Sequence, residues 1–361
     1  MRTCFSFAAC AGAILLSCGL APAQPMRPAA YRNLVMEGGG VRGIAYGGAL
    51  QELEKQGVLQ NIQRVGGTSA GAIQAALLAV GYSADEIIDV INRTPVQRLN
   101  DGQFMFVGGS TRLLKQYGWY RGDQFTKYLS ELVGRKTQQP NLTLGELHAL
   151  AQQHPGHYRD LYTTGTNLTL QRSQVFSYET HPQMRVADAV RISMSIPLYY
   201  RAVLLDAHGN VVRKPAPGQA VQVLVDGGLL ANYPLNLFDD ARYLDTQTSD
   251  TLPATGAVVN PQTLGLRLDR AEQIALDTLA NGRQALARYS ITSFPSYVGA
   301  LYNVALENLN PAQAADWSRT ISISTAGISP KVKRMPTAQK QLLVENGRKG
   351  AQAFFKASSG G

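Results

Sequence analysis

Three short segments of the chain carry residue types whose spacing could do chemistry: Gly38-Gly39-Gly40-Val41-Arg42-Gly43, Gly67-Thr68-Ser69-Ala70-Gly71 and Asp226-Gly227-Gly228. The second is a G-x-S-x-G pattern. A serine on a sharp strand-to-helix turn exposes its hydroxyl, and Gly67 and Gly71, two before and two after, relieve the crowding that such a turn creates. The helix dipole beneath favours negative charge developing on the oxygen. The competing reading of Ser69 is a plain helix N-cap.

The first segment contains G-x-G-x-x-G between a strand and a helix, which is the form of a dinucleotide fingerprint. Such a site also needs a carboxylate at the end of the next strand to hold the ribose, and Gly66-Gly67-Thr68-Ser69 stands there instead. The other use of the loop is as a cluster of backbone N–H donors that holds a developing oxyanion. The third segment read alone is a turn, but a nucleophilic serine needs a base. The five histidines are His148, His154, His157, His181 and His208. None comes late in the chain, where an α/β-hydrolase triad would place it, so a carboxylate base is the better candidate.

The elements around these segments support that placement. Asn33–Glu37 reads as an apolar strand before the glycines, and a helical pattern covers about Ile44 to Gln56. A second strand, Ile62 to Val65, leads into the serine turn and a helix from Ala70 to Val80. Two β-loop-α units in succession indicate a parallel α/β sheet. Further helices are expected at Ala84–Asn92, Gly122–Val133, Leu144–Gln153, Ala187–Met194 and Thr337–Phe355. Strands are expected at Arg159–Asn167, Val175–Tyr178, Val221–Val225, Gln262–Leu268 and Arg319–Ser324, with one long helix over Ala271–Leu309 broken at Pro295. Residues 208–219 and 245–262 are expected to be surface loops.

Length bounds the answer to one or two domains. At 45% apolar and 16% charged residues the 361-residue chain is not a disordered one. The net charge of +9 suits an anionic lipid or nucleic-acid surface, and equally a plain solubilising one. Cys4, Cys10 and Cys18 all lie near the amino terminus, so the body can form neither an internal disulfide nor a cysteine metal site. Arg2 followed by the apolar run Phe5–Leu16, too short to span a membrane, fits an export signal. Two exits compete: cleavage after Ala21-Pro22-Ala23, or a lipobox, Leu15-Leu16-Ser17-Cys18, that would lipidate Cys18. The expected organisation is a signal over 1–23, a linker over 24–32 and one domain over 33–361.

The three motifs, in this order, strongly resemble those of the patatin-like phospholipases. Softer similarities are Tyr120-Arg121-Gly122-Asp123, Thr166-Asn167-Leu168, Ala189 to Pro197 with Tyr199-Tyr200, and Asn232-Tyr233-Pro234. The resemblance covers about Asn33 to Asn236, and it departs at Glu37, where the family often has Asp. It implies a three-layer α/β sandwich with a central mixed, mostly parallel sheet. It also implies a Ser-Asp dyad without histidine: Ser69 as nucleophile, Asp226 as general base, and an oxyanion loop of Gly38, Gly39, Gly40, Arg42 and Gly43. Arg42 would orient that loop or meet a phosphate. No metal or cofactor is implied. The expected activity is hydrolysis of acyl lipids of the phospholipase A or lysophospholipase kind, with membrane lipid rather than nucleic acid as partner. The alternatives are a catalytically inactive lipid-binding protein on the same fold, and a general carboxylesterase or neutral-glyceride lipase.

Overall fold

A short strand with apolar residues at successive positions, such as Leu34-Val35-Met36, must be covered on both faces, which calls for a layer on each side of a parallel sheet. The computed structural model describes residues 30–94, 99–102, 107–244, 258–309, 314–330 and 334–359. β1 (Asn33–Met36) passes through a 3-10 turn into α1 (Ala45–Lys55). β2 (Arg64–Gly67) turns at Ser69 into α2 (Ala70–Ala79). Next come α3 (Ala84–Arg93), α4 (Val107–Gln116), β3 (Gly118–Tyr120), α5 (Asp123–Thr137) and α6 (Leu144–Gln153). Ser83 and Thr143 close capping boxes with Glu86 and Glu146 at the starts of α3 and α6. β4 (Asp160–Asn167), β5 (Arg172–Phe176), α7 (Val186–Ser193), β6 (Leu198–Tyr200), β7 (Val203–Leu205) and β8 (Gln222–Asp226) follow. The chain continues with β9 (Thr263–Asp269), α8 (Ala271–Leu279), α9 (Phe294–Leu309), β10 (Thr320–Ser324) and α10 (Thr337–Ser359).

The main sheet has eight strands in the order β10-β9-β1-β2-β4-β8-β7, with β5 beside β4. The pairs from β10 through β4 are parallel, and β5, β7 and β8 join in antiparallel fashion. This is the mixed, mostly parallel sheet that the resemblance implied. Every residue of β1, β4 and β9 is buried. On one face, Leu34, Met36, Leu264 and Leu266 join a core that runs from Tyr31 to Phe355 and includes α1, α2, α7 and α10. On the other, Leu235, Phe238 and Tyr243 pack on Val35 and Tyr162. There α9 is held to β9 by Glu307, which accepts from Arg267 at 2.7 Å.

The region after Asp226 departs from expectation. In place of one long helix broken at Pro295, α8 ends near Asn281 and Gly282, both at positive φ, and an irregular segment separates it from α9. Arg283 turns inward from that segment to Asp269, Asp277 and Glu307. Pro295 falls in the first turn of α9, where its missing N–H costs nothing. β5 starts at Arg172, earlier than its apolar core suggests, because pairing to β4 carries its exposed polar half. The helix α4 and the short strands β3, β6 and β7 carry too little apolar periodicity to be foreseen. The expected loop at 208–219 is irregular apart from an isolated bridge at Val211, whereas most of the one at 245–262 lies outside the described residues. So do the residues expected to form a signal, all three cysteines and most of the expected linker.

Candidate active site

β2 ends in Gly67, and the chain reverses within two residues to enter α2. Ser69 sits at that reversal with φ 53° and ψ −116°, a conformation a residue with a Cβ adopts only under strain. The turn is tight because β1 and α2 nearly touch: a Cβ on Gly71 would run into the carbonyl oxygen of Met36, and one on Gly67 into the backbone of Gly71. Glycine at both positions is therefore a steric requirement of the turn. The Ser69 N–H donates to Ser193 Oγ at 3.0 Å, at the end of α7. Thr68 Oγ1 is within 2.5 Å of Thr164 Oγ1 and donates to the Ala231 carbonyl at 2.6 Å. The turn is thus braced by β4, by α7 and by the loop after Asp226.

Strand register brings the aspartate to the serine. Gly67 of β2 lies opposite Thr163 of β4, and Asp226, at the end of antiparallel β8, lies opposite Gly165. Ser69 and Asp226 each stand two residues beyond the same rung, so they end at one height above the sheet. The Asp226 N–H donates to the Ser195 carbonyl at 2.9 Å, so the end of α7 steadies both members of the pair. Asp226 is 5% exposed. Oδ1 accepts from the Gly228 N–H at 2.7 Å, while Oδ2 is buried with no partner that meets full hydrogen-bond geometry. Burial pushes the carboxyl up to about 6, against the Gly228 N–H and the Ser69 hydroxyl, which both lower it. No hydrogen bond of full geometry joins Asp226 Oδ2 to Ser69, as is common before substrate arrives.

The glycine loop is held from three sides. The Gly38 N–H donates to the Asn232 carbonyl at 2.9 Å, which removes it from the set of available donors. Gly43, also expected to contribute, is buried in the 3-10 turn, and its carbonyl accepts from Gln74 Nε2 at 3.1 Å. The Gly39 and Gly40 N–H groups meet no acceptor among the described residues. Gly40 has φ +56°, and a Cβ there would strike the Pro330 carbonyl. Arg42 folds back, Nε donating to the Gly39 carbonyl at 3.2 Å. A peptide is planar and trans, so fixing the Gly39 carbonyl also fixes the direction of the Gly40 N–H. Asn232 Nδ2 does the same at the preceding peptide, donating to the Gly38 carbonyl at 3.3 Å and so orienting the Gly39 N–H. Of the two roles open to Arg42, the structure displays the loop-orienting one.

Asn232 also donates to Glu37 Oε1 at 3.0 Å, while Glu37 Oε2 accepts the Leu268 N–H at 2.7 Å. Burial raises the Glu37 carboxyl to about 7; nearby Arg267 lowers it, and Asp269 and Glu307 raise it. The Glu37–Asn232 clamp is the part of the site that residue patterns alone did not reveal. The Asn-Tyr-Pro run after the aspartate was its only signal.

Ser69 and Gly40 open on a cavity of about 800 Å³. Much of its wall is apolar: Ile73 and Leu77 of α2, Phe125, Leu129 and Leu132 of α5, and Met194 and Ile196. No histidine lines it. His148 is bound to Asp160 at 2.8 Å and stacked on Tyr178, and His181 lies against Phe176 and Gln174. His154 and His157 flank Tyr158, and His208 is in the 206–210 turn. Among the described residues no group of three His, Cys, Asp or Glu could hold a metal ion, and no helix is long and apolar enough to cross a membrane.

The Patatin-like phospholipase family model matches residues 34–239. An uncharacterised Bacillus subtilis protein, YqhO, is 35% identical over 221 residues, covering 59% of this chain and 68% of its own. An uncharacterised protein of Acanthamoeba polyphaga mimivirus is 31% identical over 211 residues, 58% of this chain; the match spans 62% of that relative, under two thirds of its length. A protein of Invertebrate iridescent virus 6 named "Probable lipid hydrolase" is 24% identical over 217 residues, covering 59% of this chain and 64% of its own. Among solved structures, VipD from Legionella pneumophila superposes with a TM-score of 0.54 at 18% identity, over 90% of this chain and 67% of that one, a likeness of fold. With the family model covering the sheet from β1 through β8 and all three glycine-flanked motifs, the chain belongs to the patatin-like phospholipase family.

Proposed function

We propose that the protein is a lipid acyl hydrolase of phospholipase A or lysophospholipase type, working through Ser69 and Asp226. The observation that carries the proposal is a strained serine at the floor of an apolar cavity, backed by a buried carboxylate with one unsatisfied oxygen. An acyl chain lies along the cavity and brings its ester carbonyl to Ser69. Ser69 Oγ attacks the carbonyl carbon as Asp226 Oδ2 takes the hydroxyl proton. The carbonyl oxygen becomes an oxyanion and meets the Gly39 and Gly40 N–H groups, which are already aimed and need no reorganisation. The tetrahedral intermediate collapses, the C–O bond to the alcohol breaks, and Asp226 returns the proton to the leaving alkoxide. Water then loses a proton to Asp226, attacks the acyl-enzyme, and releases fatty acid and free Ser69. A pKa near 6 suits both duties, since the carboxyl is ionised at neutral pH yet basic enough to accept a proton.

The test is fatty-acid release from mixed phospholipid vesicles by wild type and by Ser69→Ala, with the released position identified. A loss of at least about 10³-fold in the variant, with fluorophosphonate labelling confined to Ser69, supports the reading. Equal turnover by both proteins, or labelling elsewhere, rejects it. No turnover of any ester favours a lipid-binding protein on this fold, and turnover of triglyceride alone favours a neutral lipase.

Export remains part of the proposal on the strength of the amino-terminal segment. Expression in a bacterial host with Cys18→Ala beside wild type separates the two exits. Membrane-bound wild type and a soluble variant mark lipidation, whereas soluble exported forms of both mark cleavage after Ala23.

A further inference from the structure

The mouth of the cavity carries a charge imbalance that ester cleavage by itself does not need. Arg93, at the end of α3, and Arg334 and Lys340, before and within the first turn of α10, are among its lining residues, and no Asp or Glu is among the described ones. The cations are held there by the fold. Lys340 Nζ donates to the Asn92 carbonyl at 3.1 Å, tying the start of α10 to the end of α3 and using one of its three donors. Arg93 spends Nε on Asp89 at 2.9 Å, which leaves the outer nitrogens of its fork. Arg334 is exposed and has no carboxylate partner among the described residues. Three cations, two of them exposed, thus line a cavity that is otherwise largely apolar, and low-dielectric walls focus such a field toward the bound molecule.

Resting on the hydrolase reading, we infer that this mouth is a head-group subsite that selects lipids with a net-negative, oxygen-rich head group, such as phosphatidylglycerol. A glycerol-type phosphodiester presents oxygens to Lys340 and Arg334 while its acyl chain runs down toward Leu77 and Leu129. Guanidinium and ammonium donors suit that group as charge-assisted partners. Phosphatidylcholine places a quaternary ammonium against three cations, with no carboxylate among the described lining residues to receive it, and a triglyceride presents no anion.

The experiment reads binding, so that its outcome is independent of catalysis. Short-chain diether phosphatidylglycerol and diether phosphatidylcholine, which lack the cleavable ester, are titrated below their micelle concentrations into the full-length protein by calorimetry. Wild type at low salt is expected to bind the glycerol lipid about tenfold more tightly than the choline lipid, a preference that fades as salt screens the rim. In Arg334→Gln/Lys340→Gln, with its circular dichroism checked against wild type, the preference is expected to drop below about threefold. An unchanged preference in the double variant, or none in wild type, overturns the subsite while leaving the hydrolase reading to its own Ser69→Ala test. Displacement of the glycerol lipid by low millimolar inorganic phosphate would assign the cations to free phosphate and overturn the head-group role.

Discussion

Asn232 Nδ2 donates to Glu37 Oε1 at 3.0 Å, and through that bond the loop that follows the aspartate holds the loop that presents the oxyanion donors. The same amide reaches the Gly38 carbonyl, so one side chain sets the aim of the Gly39 N–H. Asn232→Ala is expected to lower kcat by about 10–100-fold with little change in KM, because the donor is misaimed rather than removed. Asn232→Asp should be worse than Asn232→Ala, since it sets a second carboxylate against Glu37. Steady-state kinetics on a soluble short-chain ester check both; equal kcat in wild type and Asn232→Ala would end the clamp's role.

The strain at Ser69 is expected to show in stability. At φ 53° and ψ −116° alanine keeps the steric cost of a Cβ and glycine does not. Ser69→Gly should therefore be more stable than Ser69→Ala by about 1 kcal/mol, even though glycine gives the unfolded chain more freedom. Denaturant melts of the two inactive variants decide this, and the reverse order would mean that the turn is relaxed.

Asp226 predicts the acid limb of the rate profile. The base must be ionised to act, and its carboxyl is held at about 6 by burial. On an uncharged soluble ester, kcat/KM should be level above pH 7 and fall about tenfold per pH unit below the pKa. The same shift has a stability consequence. The folded protein binds this proton more tightly than the unfolded chain, whose carboxyl titrates near 3.8. The site's favourable contribution is therefore fully present below that value and is lost as pH rises through about 6. Asp226→Asn should match wild type near pH 4 and exceed its stability at pH 8 by up to about 3 kcal/mol, while losing most activity. Paired urea melts at the two pH values measure the difference.

Each of the five histidines is expected to tolerate replacement by Gln or Asn with less than about tenfold loss, below what a general base contributes. The most affected should be His148, which faces Asp160 at 2.8 Å, and there the effect should appear in melting rather than in kcat. A histidine variant as inactive as Ser69→Ala, beside an active Asp226→Asn, would replace the dyad by a Ser-His pair.

The three motifs and the strands and helices around them were legible in the sequence because each is locally determined. A five-residue turn that reverses a strand into a helix needs glycines where Gly67 and Gly71 stand, and an apolar run such as Leu34–Met36 declares its burial. Tertiary structure decided which of these segments meet. The height of Asp226 beside Ser69 follows from β8 pairing antiparallel to β4 with Asp226 opposite Gly165, and a register between distant strands leaves no trace in local spacing. The same holds for the loop: five residues offered their N–H groups in sequence, yet the Asn232 carbonyl takes that of Gly38, the Gly39 carbonyl takes that of Arg42, and the Arg42 and Asn232 side chains aim those of Gly40 and Gly39, because hydrogen-bond partners are assigned only when the chain has folded. The helix expected across Ala271–Leu309 failed for a related reason, since burying Arg283 among Asp269, Asp277 and Glu307 outweighs the helical pattern of the residues around it.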